Sequence, residues 1–187
     1  MTLDTTERLA MGGQGYPADL EADVVLADGG TVHVRPIRPS DTDALVQFHE
    51  RLSPETVYYR FFTAKPTLPS DVADRFTHVD YSERLALVAE LGDELVAVVR
   101  YDRLPASDEA DVAFVVADEH QGRGIGTILL EHLATAARKR GIRRFVADTL
   151  ATNRRMIDLF ASMGFELEHS FEGGVVHVAF PIEPTAR

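Results

Sequence analysis

Apolar positions along this chain alternate between a strand-like period of two and a helical period of three to four. Val24–Leu26 and Thr31–Arg35 flank Asp28-Gly29-Gly30 and predict a hairpin, since short β-rich runs on either side of a glycine turn pair with each other. Pro36 and Pro39 end it. Ser40 reads as the cap of a first helix. Asp41 and Asp43 fall in its first turn, where carboxylates suit the helix dipole, and Ala44, Leu45, Phe48 and Leu52 make its apolar stripe. Ser53-Pro54-Glu55 opens a second helix with proline at its first position, leading into Tyr58-Tyr59-Arg60-Phe61-Phe62. Ser70 opens a third, reaching His78.

The second half is more regular. Leu85–Glu90 and Leu95–Tyr101 flank the tight turn Leu91-Gly92-Asp93-Glu94. Asp111–Val116 is mostly apolar on both faces, which places it in the middle of a sheet. Thr127–Arg140 is a strong helix on Ile128, Leu129, Leu133 and Ala136, ended by Gly141. Phe145–Thr149 is a strand. Asn153 opens a helix carrying Met156, Ile157, Leu159 and Phe160 and closed by Gly164. Phe165–Phe171 and Val175–Phe180 form a last hairpin across Glu172-Gly173-Gly174. The fold class is therefore α/β, a mixed, mostly antiparallel sheet with helices on both faces. Residues 1–22, with the breaker-dense Gly12–Pro17, read as a flexible leader or a loosely docked arm, and residues 23–187 as a single domain.

Composition narrows the chemistry. A chain of 187 residues hides roughly 70% of its unfolded surface on folding, enough for one sizeable core. A net charge of −11 argues against nonspecific nucleic-acid binding but not against a local anion site. There are no cysteines, hence no disulfide, thiolate nucleophile or cysteine metal site. None of the seven histidines pairs at i,i+4, so no metal is expected. No apolar run is long enough to span a membrane and the N-terminus is no secretory signal, so a cytoplasmic setting is expected.

One segment carries most of the functional information. Asp111–Val116 runs through Asp118 into Gln121-Gly122-Arg123-Gly124-Ile125-Gly126, and a helix follows at Thr127. Glycines spaced two apart at a helix N-terminus aim successive N–H groups at one point, and with the helix dipole they make an anion site. Arg123 can add charge-assisted hydrogen bonds. The loop lacks the Gly-Lys-Ser/Thr ending of a nucleotide hydrolase and the third glycine of a dinucleotide fingerprint.

With these residues in place, the chain resembles the GCN5-related N-acetyltransferase (GNAT) family. The acetyl-CoA loop of that family, Gln/Arg-x-x-Gly-x-Gly/Ala, is matched by Gln121 to Gly126. Asn153 to Phe165 is similar to the family's Asn-helix-Gly-Phe element, and Val32 to Asp41 to its opening strand and helix. Leu52 to Phe62 is similar to the catalytic domain of bacterial protein lysine acetyltransferases, which act on acyl-CoA synthetases. The resemblance implies acetyl-CoA as co-substrate and a sheet splayed at the strand before the phosphate loop. It puts pyrophosphate on the N–H groups around Gly122, Arg123, Gly124, Ile125, Gly126 and Thr127. Pantetheine would pair along Phe114, Val115 and Val116, with Asn153 touching it or holding the loop, and Met156 and Phe160 lining the thiol end.

The family's general base is usually a glutamate. The matching position here holds Asp111, one methylene shorter, and Glu109 is its rival. Phe160 stands where many members place a tyrosine acid, leaving water, an unprotonated thiolate, Tyr58, Tyr59 or Tyr101 to fill that role. Tyr58 and Arg60 are candidates for the acceptor groove. Three functions stay open: acetylation of lysine on a protein, acetylation of a small amine, and acyl-CoA binding without catalysis. An open acidic groove would favour the first and a closed acidic pocket the second.

Overall fold

The hairpins expected from the sequence join one sheet in a computed structural model that describes residues 15–65, 67–163 and 167–183. Its strands are β1 (Ala22–Val25), β2 (Thr31–Pro36), β3 (Arg84–Leu91), β4 (Glu94–Arg103), β5 (Glu109–Val116), β6 (Arg144–Leu150), β7 (Glu168–Glu172) and β8 (Val175–Pro181). Helices are α1 (Thr42–Glu50), α2 (Pro54–Phe61), α3 (Ser70–Thr77), α4 (Ile125–Lys139) and α5 (Arg154–Ser162). The spatial order is β1-β2-β3-β4-β5-β6-β8-β7.

All neighbouring strands are antiparallel except β5 and β6, which run parallel because α4 carries the chain back between them. Their pairing is short: Glu109 faces Arg144, Ala110 faces Phe145, and Asp111 faces Val146. Beyond Asp111, β5 stays on β4 as far as Val116, while β6 stays on β8 as far as Leu150. The sheet therefore opens into a V whose apex is Asp111.

Alternation along the strands feeds two cores. Leu85, Leu87, Val99 and Tyr101 point to one face and meet Leu129, Leu130 and Leu133 of α4, with Phe145 and Phe180. Ala86, Val88 and Val98 point to the other and meet Phe48, Val57 and Ala73 of α1–α3.

One local detail departs from expectation. Ser40 does not cap α1. A short 3-10 turn, Pro39–Asp41, precedes the helix, and the Asp41 carboxylate turns back to accept the Arg38 N–H at 2.7 Å. The described part of the leader is docked: the Tyr16 ring meets Tyr81 edge-on at 5.9 Å and carries the Arg38 guanidinium at 4.6 Å. Residues 1–14 lie outside the described residues, as do Gly164 and Phe165 at the expected end of α5 and start of β7.

Asp41 does more than turn the chain. Arg35, buried on β2, donates to both Asp41 oxygens at 2.8 and 2.9 Å and to Glu90 of β3 at 2.5 Å. Removing one partner of a buried ion pair costs about 3–5 kcal/mol. Since Glu90 still holds Arg35, Asp41→Ala is expected to lower stability by about 3 kcal/mol in urea unfolding. A loss no larger than that of a surface substitution would contradict the buried network.

Candidate active site

The open arm of the V is flanked by the glycine loop. Gly122 and Gly124 sit at φ +76° and +84°, the left-handed region that side chains resist. Gly124 ends the loop, and α4 begins at Ile125, so the unsatisfied N–H groups of its first turn face the same space. Gly126 serves closeness instead. A Cβ there would stand 3.0 Å from Leu159 and 3.5 Å from the Phe114 ring, so glycine lets α4 close on β5 and α5.

Hydrogen bonds fix the loop to its surroundings. Gln121 donates to the Val116 carbonyl at 3.0 Å and to Thr56 Oγ1 at 3.3 Å, while Arg155 donates to the Gln121 carbonyl oxygen. Asp118 accepts from the Ser53 N–H, the Ser53 hydroxyl and the Thr56 hydroxyl at 2.8, 2.6 and 2.7 Å. Burial would lift the Asp118 carboxyl, but these hydrogen bonds outweigh it and hold the group below the usual carboxylate range. The start of α2 is thus tied to the loop. Across the cleft, Asn153 is buried and accepts the Met156 N–H at 3.3 Å, capping α5.

Between these elements lies a cavity of about 700 Å³. Of the residues expected there, Arg60, Phe114, Val115, Val116, Gln121, Gly122, Gly124, Ile125, Gly126, Thr127, Asn153 and Met156 line it. Two do not. The Arg123 side chain leaves the cleft for the β1–β2 turn, where Asp28 accepts from it at 2.6 Å, and it also meets His120 at 2.9 Å. Phe160 is 2% exposed and packs between Phe114 and Phe180 at 6.0 and 5.4 Å, so it belongs to the core behind the wall.

The tyrosines separate in the same way. Tyr101 is fully buried, its hydroxyl donating to the Ser82 carbonyl at 2.7 Å, away from the cleft. Tyr58 is exposed outside it. Tyr59 lines the cleft, with its hydroxyl 3.4 Å from the Thr152 carbonyl. Sequence reasoning missed Arg154 and Arg155, which reach the cleft from the first turn of α5. Two arginines after a helix cap read as solvated surface, and only the fold brings them beside the loop.

Charge gathers at the apex. Asp111 is exposed to water, with neighbouring protein taking part of its solvent. That loss of solvent raises its pKa above the ordinary value, and the charges of Asp148 and Asp102 raise it further against the pull of Arg60 and Arg100. Asp102 lies directly opposite on β4. Asp148 lies two residues past Val146 on β6 and bonds the His177 ring at 2.5 Å. Glu109, on the same side of β5, pairs with Arg144 at 3.4 Å. Arg60 reaches toward Asp111 from α2. Burial and the neighbouring Arg100 pull it down to about 10, so it stays cationic at neutral pH.

The pattern described as the Acetyltransferase (GNAT) family matches residues 45–165. The chain belongs to the GNAT acetyltransferase family. It is 33% identical over 144 residues to an acetyltransferase of Pseudomonas aeruginosa, covering 75% of this chain and 77% of that one. It is 32% identical over 145 residues to the acetyltransferase Pat of Mycolicibacterium smegmatis, covering 75% of this chain but 43% of that protein. Among solved structures it is similar to the GNAT domain of S. lividans PAT, with 50% identity, a TM-score of 0.85, and 89% and 99% of the two chains covered. As a GNAT protein it is an acetyl-CoA-dependent acetyltransferase. The residues present fit that coenzyme: a glycine cradle at a helix N-terminus for phosphate, and a V-shaped opening along one edge of β5.

Gly124→Ala tests the cradle. A side chain in the left-handed region costs about 1–2 kcal/mol. If that strain shifts the loop, acetyl-CoA binding weakens about tenfold by titration calorimetry. Unchanged affinity would show that the loop does not hold the coenzyme.

Proposed function

We propose that this acetyltransferase modifies the ε-amine of lysine on a protein substrate, an acyl-CoA synthetase, in the cytoplasm. The observation that carries the reading is the open acidic face at the apex of the V. Asp111 and Asp148 are both exposed, and β7, which ends the sheet on that side, is exposed along its whole length. A closed pocket for a small amine would wall these carboxylates off. The similarity to S. lividans PAT and to Pat supports the same acceptor class, as does the Leu52–Phe62 segment that forms α2. Among the described residues no helix is long and apolar enough to cross a membrane.

In this reading the coenzyme supplies an activated acetyl thioester, and the chain supplies position and proton handling. Backbone N–H groups from Gly122 to Thr127, with Arg155 and Arg154 nearby, hold the phosphates. The edge of β5 from Val112 to Val116, which has no strand partner on its β6 side, aligns the pantetheine arm. Asp111 accepts the amine proton, directly or through a water that its short side chain leaves room for. Its raised pKa brings it nearer the working pH of a base. Glu109 is turned to Arg144 instead. Phe160 is no acid, and Tyr59 is the tyrosine whose hydroxyl reaches the cleft.

Two measurements check this. Incubation with acetyl-CoA and a purified acetyl-CoA synthetase is expected to add one acetyl group to the synthetase by intact mass, and none once its active-site lysine is replaced. No gain from an enzyme that binds acetyl-CoA would overturn the acceptor and move the reading to a small amine or to binding alone. Asp111→Asn is expected to lower kcat/KM about 100-fold or more and to abolish an acid limb lying above the ordinary aspartate range. The sign for stability is opposite. A folded pKa above the unfolded one means that ionised Asp111 opposes folding as pH rises through the raised value, so Asp111→Asn is expected to raise the melting temperature at neutral pH. A larger activity loss in Glu109→Gln would reassign the base.

A further inference from the structure

A second, smaller cavity of about 40 Å³ lies between α1–α3 and the sheet. Arg60 and Val115 line both this cavity and the main cleft, so they stand between the two. Its walls are mostly apolar, formed by Phe48, Phe61, Phe76 and Val98, but Arg60 and Arg100 both reach it. Arg100 commits Nε and Nη2 to Asp102, each at 3.0 Å, and lies over the Phe76 ring at 4.5 Å. Its Nη1 is buried with no hydrogen-bond partner. Arg60 lies 5.0 Å from the Phe61 ring and makes no hydrogen bond or ion pair with a described residue. The other polar side chain on the lining, His49, is already bonded to the Lys65 carbonyl at 2.7 Å.

The charge balance is local and differs from that of the whole chain. Asp102 and Asp111 are the carboxylates that act on Arg60. Asp102 is shared by Arg84 and Arg100, at 2.8 Å each. With Asp148 beside Asp111, three guanidinium groups thus meet three carboxylates, in a protein whose net charge is −11. A buried charged donor without an acceptor is strongly unfavourable, and a carboxylate is the group whose two oxygens satisfy two guanidinium donors at once.

We propose that Arg60 and Arg100 form a carboxylate site at the acyl end of the cleft, and that the enzyme accepts dicarboxylic acyl-CoA donors of the succinyl type as well as acetyl-CoA. The site rests on the reading that the thioester lies between β5 and β6 beside Val115. A 40 Å³ cavity has room for about three water-sized groups, the size of a carboxylate and a methylene. Transfer follows the same balance as for acetyl. The lysine nitrogen bonds to the thioester carbonyl carbon, the carbon–sulfur bond breaks, Asp111 takes the amine proton, and coenzyme A leaves as thiolate and is protonated by solvent. The distal carboxylate is unchanged.

Binding tests this without knowledge of the acceptor. Succinyl-CoA and butyryl-CoA have acyl groups of equal carbon count and differ by a carboxylate in place of a methyl group, so titration calorimetry of the full chain with each isolates that group. The expected result is about tenfold tighter binding of succinyl-CoA. Arg60→Met is expected to erase the preference and Arg60→Lys to keep part of it. Equal affinities, or tighter butyryl-CoA, with acetyl-CoA still bound would overturn the carboxylate site alone, leaving water or an apolar acyl tail as the content of the cavity. Failure of acetyl-CoA itself to bind would overturn the reading of the cleft and this site with it.

Discussion

Everything at the active site depends on how briefly β5 and β6 pair. A parallel ladder that continued would close the sheet and fill the edge of β5 with protein hydrogen bonds. Instead the two strands share three positions and separate at Asp111, each keeping its outer neighbour. The separation needs support on both arms. β4 holds β5, β8 holds β6, and the packed faces of Phe145, Phe180 and Tyr101 fix the closed end. The glycine loop is useful only because it follows the open arm directly, so that the N-terminus of α4 faces the space the separation creates.

The apex also sets the electrostatics. Three aspartates from three strands approach one another there, and like charges in reduced solvent favour the protonated form. Arg60 and Arg100 oppose this from the helical side, without cancelling the rise in the Asp111 pKa. Arg60 lies against the Phe61 ring, and the charges of Asp111 and Asp102 favour its cationic form against the cost of burial. Acceptor and donor chemistry thus meet at a point where Arg100, Asp102 and Asp111 project from the same face of the sheet.

Much of this was legible in the residues. Period-two and helical patterns located the strands and helices within a few residues, and Gln121 to Gly126 identified the loop. Asn153 and Met156 line the cleft where a helix cap and its first apolar residue, both local features, put them. The misses are nonlocal. Arg123 looks like a phosphate ligand in sequence, but Asp28, distant along the chain, is its partner once β1 and β2 fold beside the loop. Phe160 follows the motif's register, yet its apolar ring is more stable among Phe114 and Phe180 than on a wet wall. Asp148, Arg100 and Asp118 carry no signature in their own segments. Their roles come from strand register and from a loop-to-helix contact that no short window contains.

The most direct test of the account is hydrogen exchange with and without coenzyme A. The separation of β5 from β6 predicts that amides on the free edge of Val112–Val116 exchange quickly in the free protein. On adding coenzyme, that edge and the loop from Gly122 to Thr127 are predicted to become protected together. Slow exchange along that edge without coenzyme, or protection confined to other elements when it binds, would contradict the claim that this opening is where the acyl donor lies.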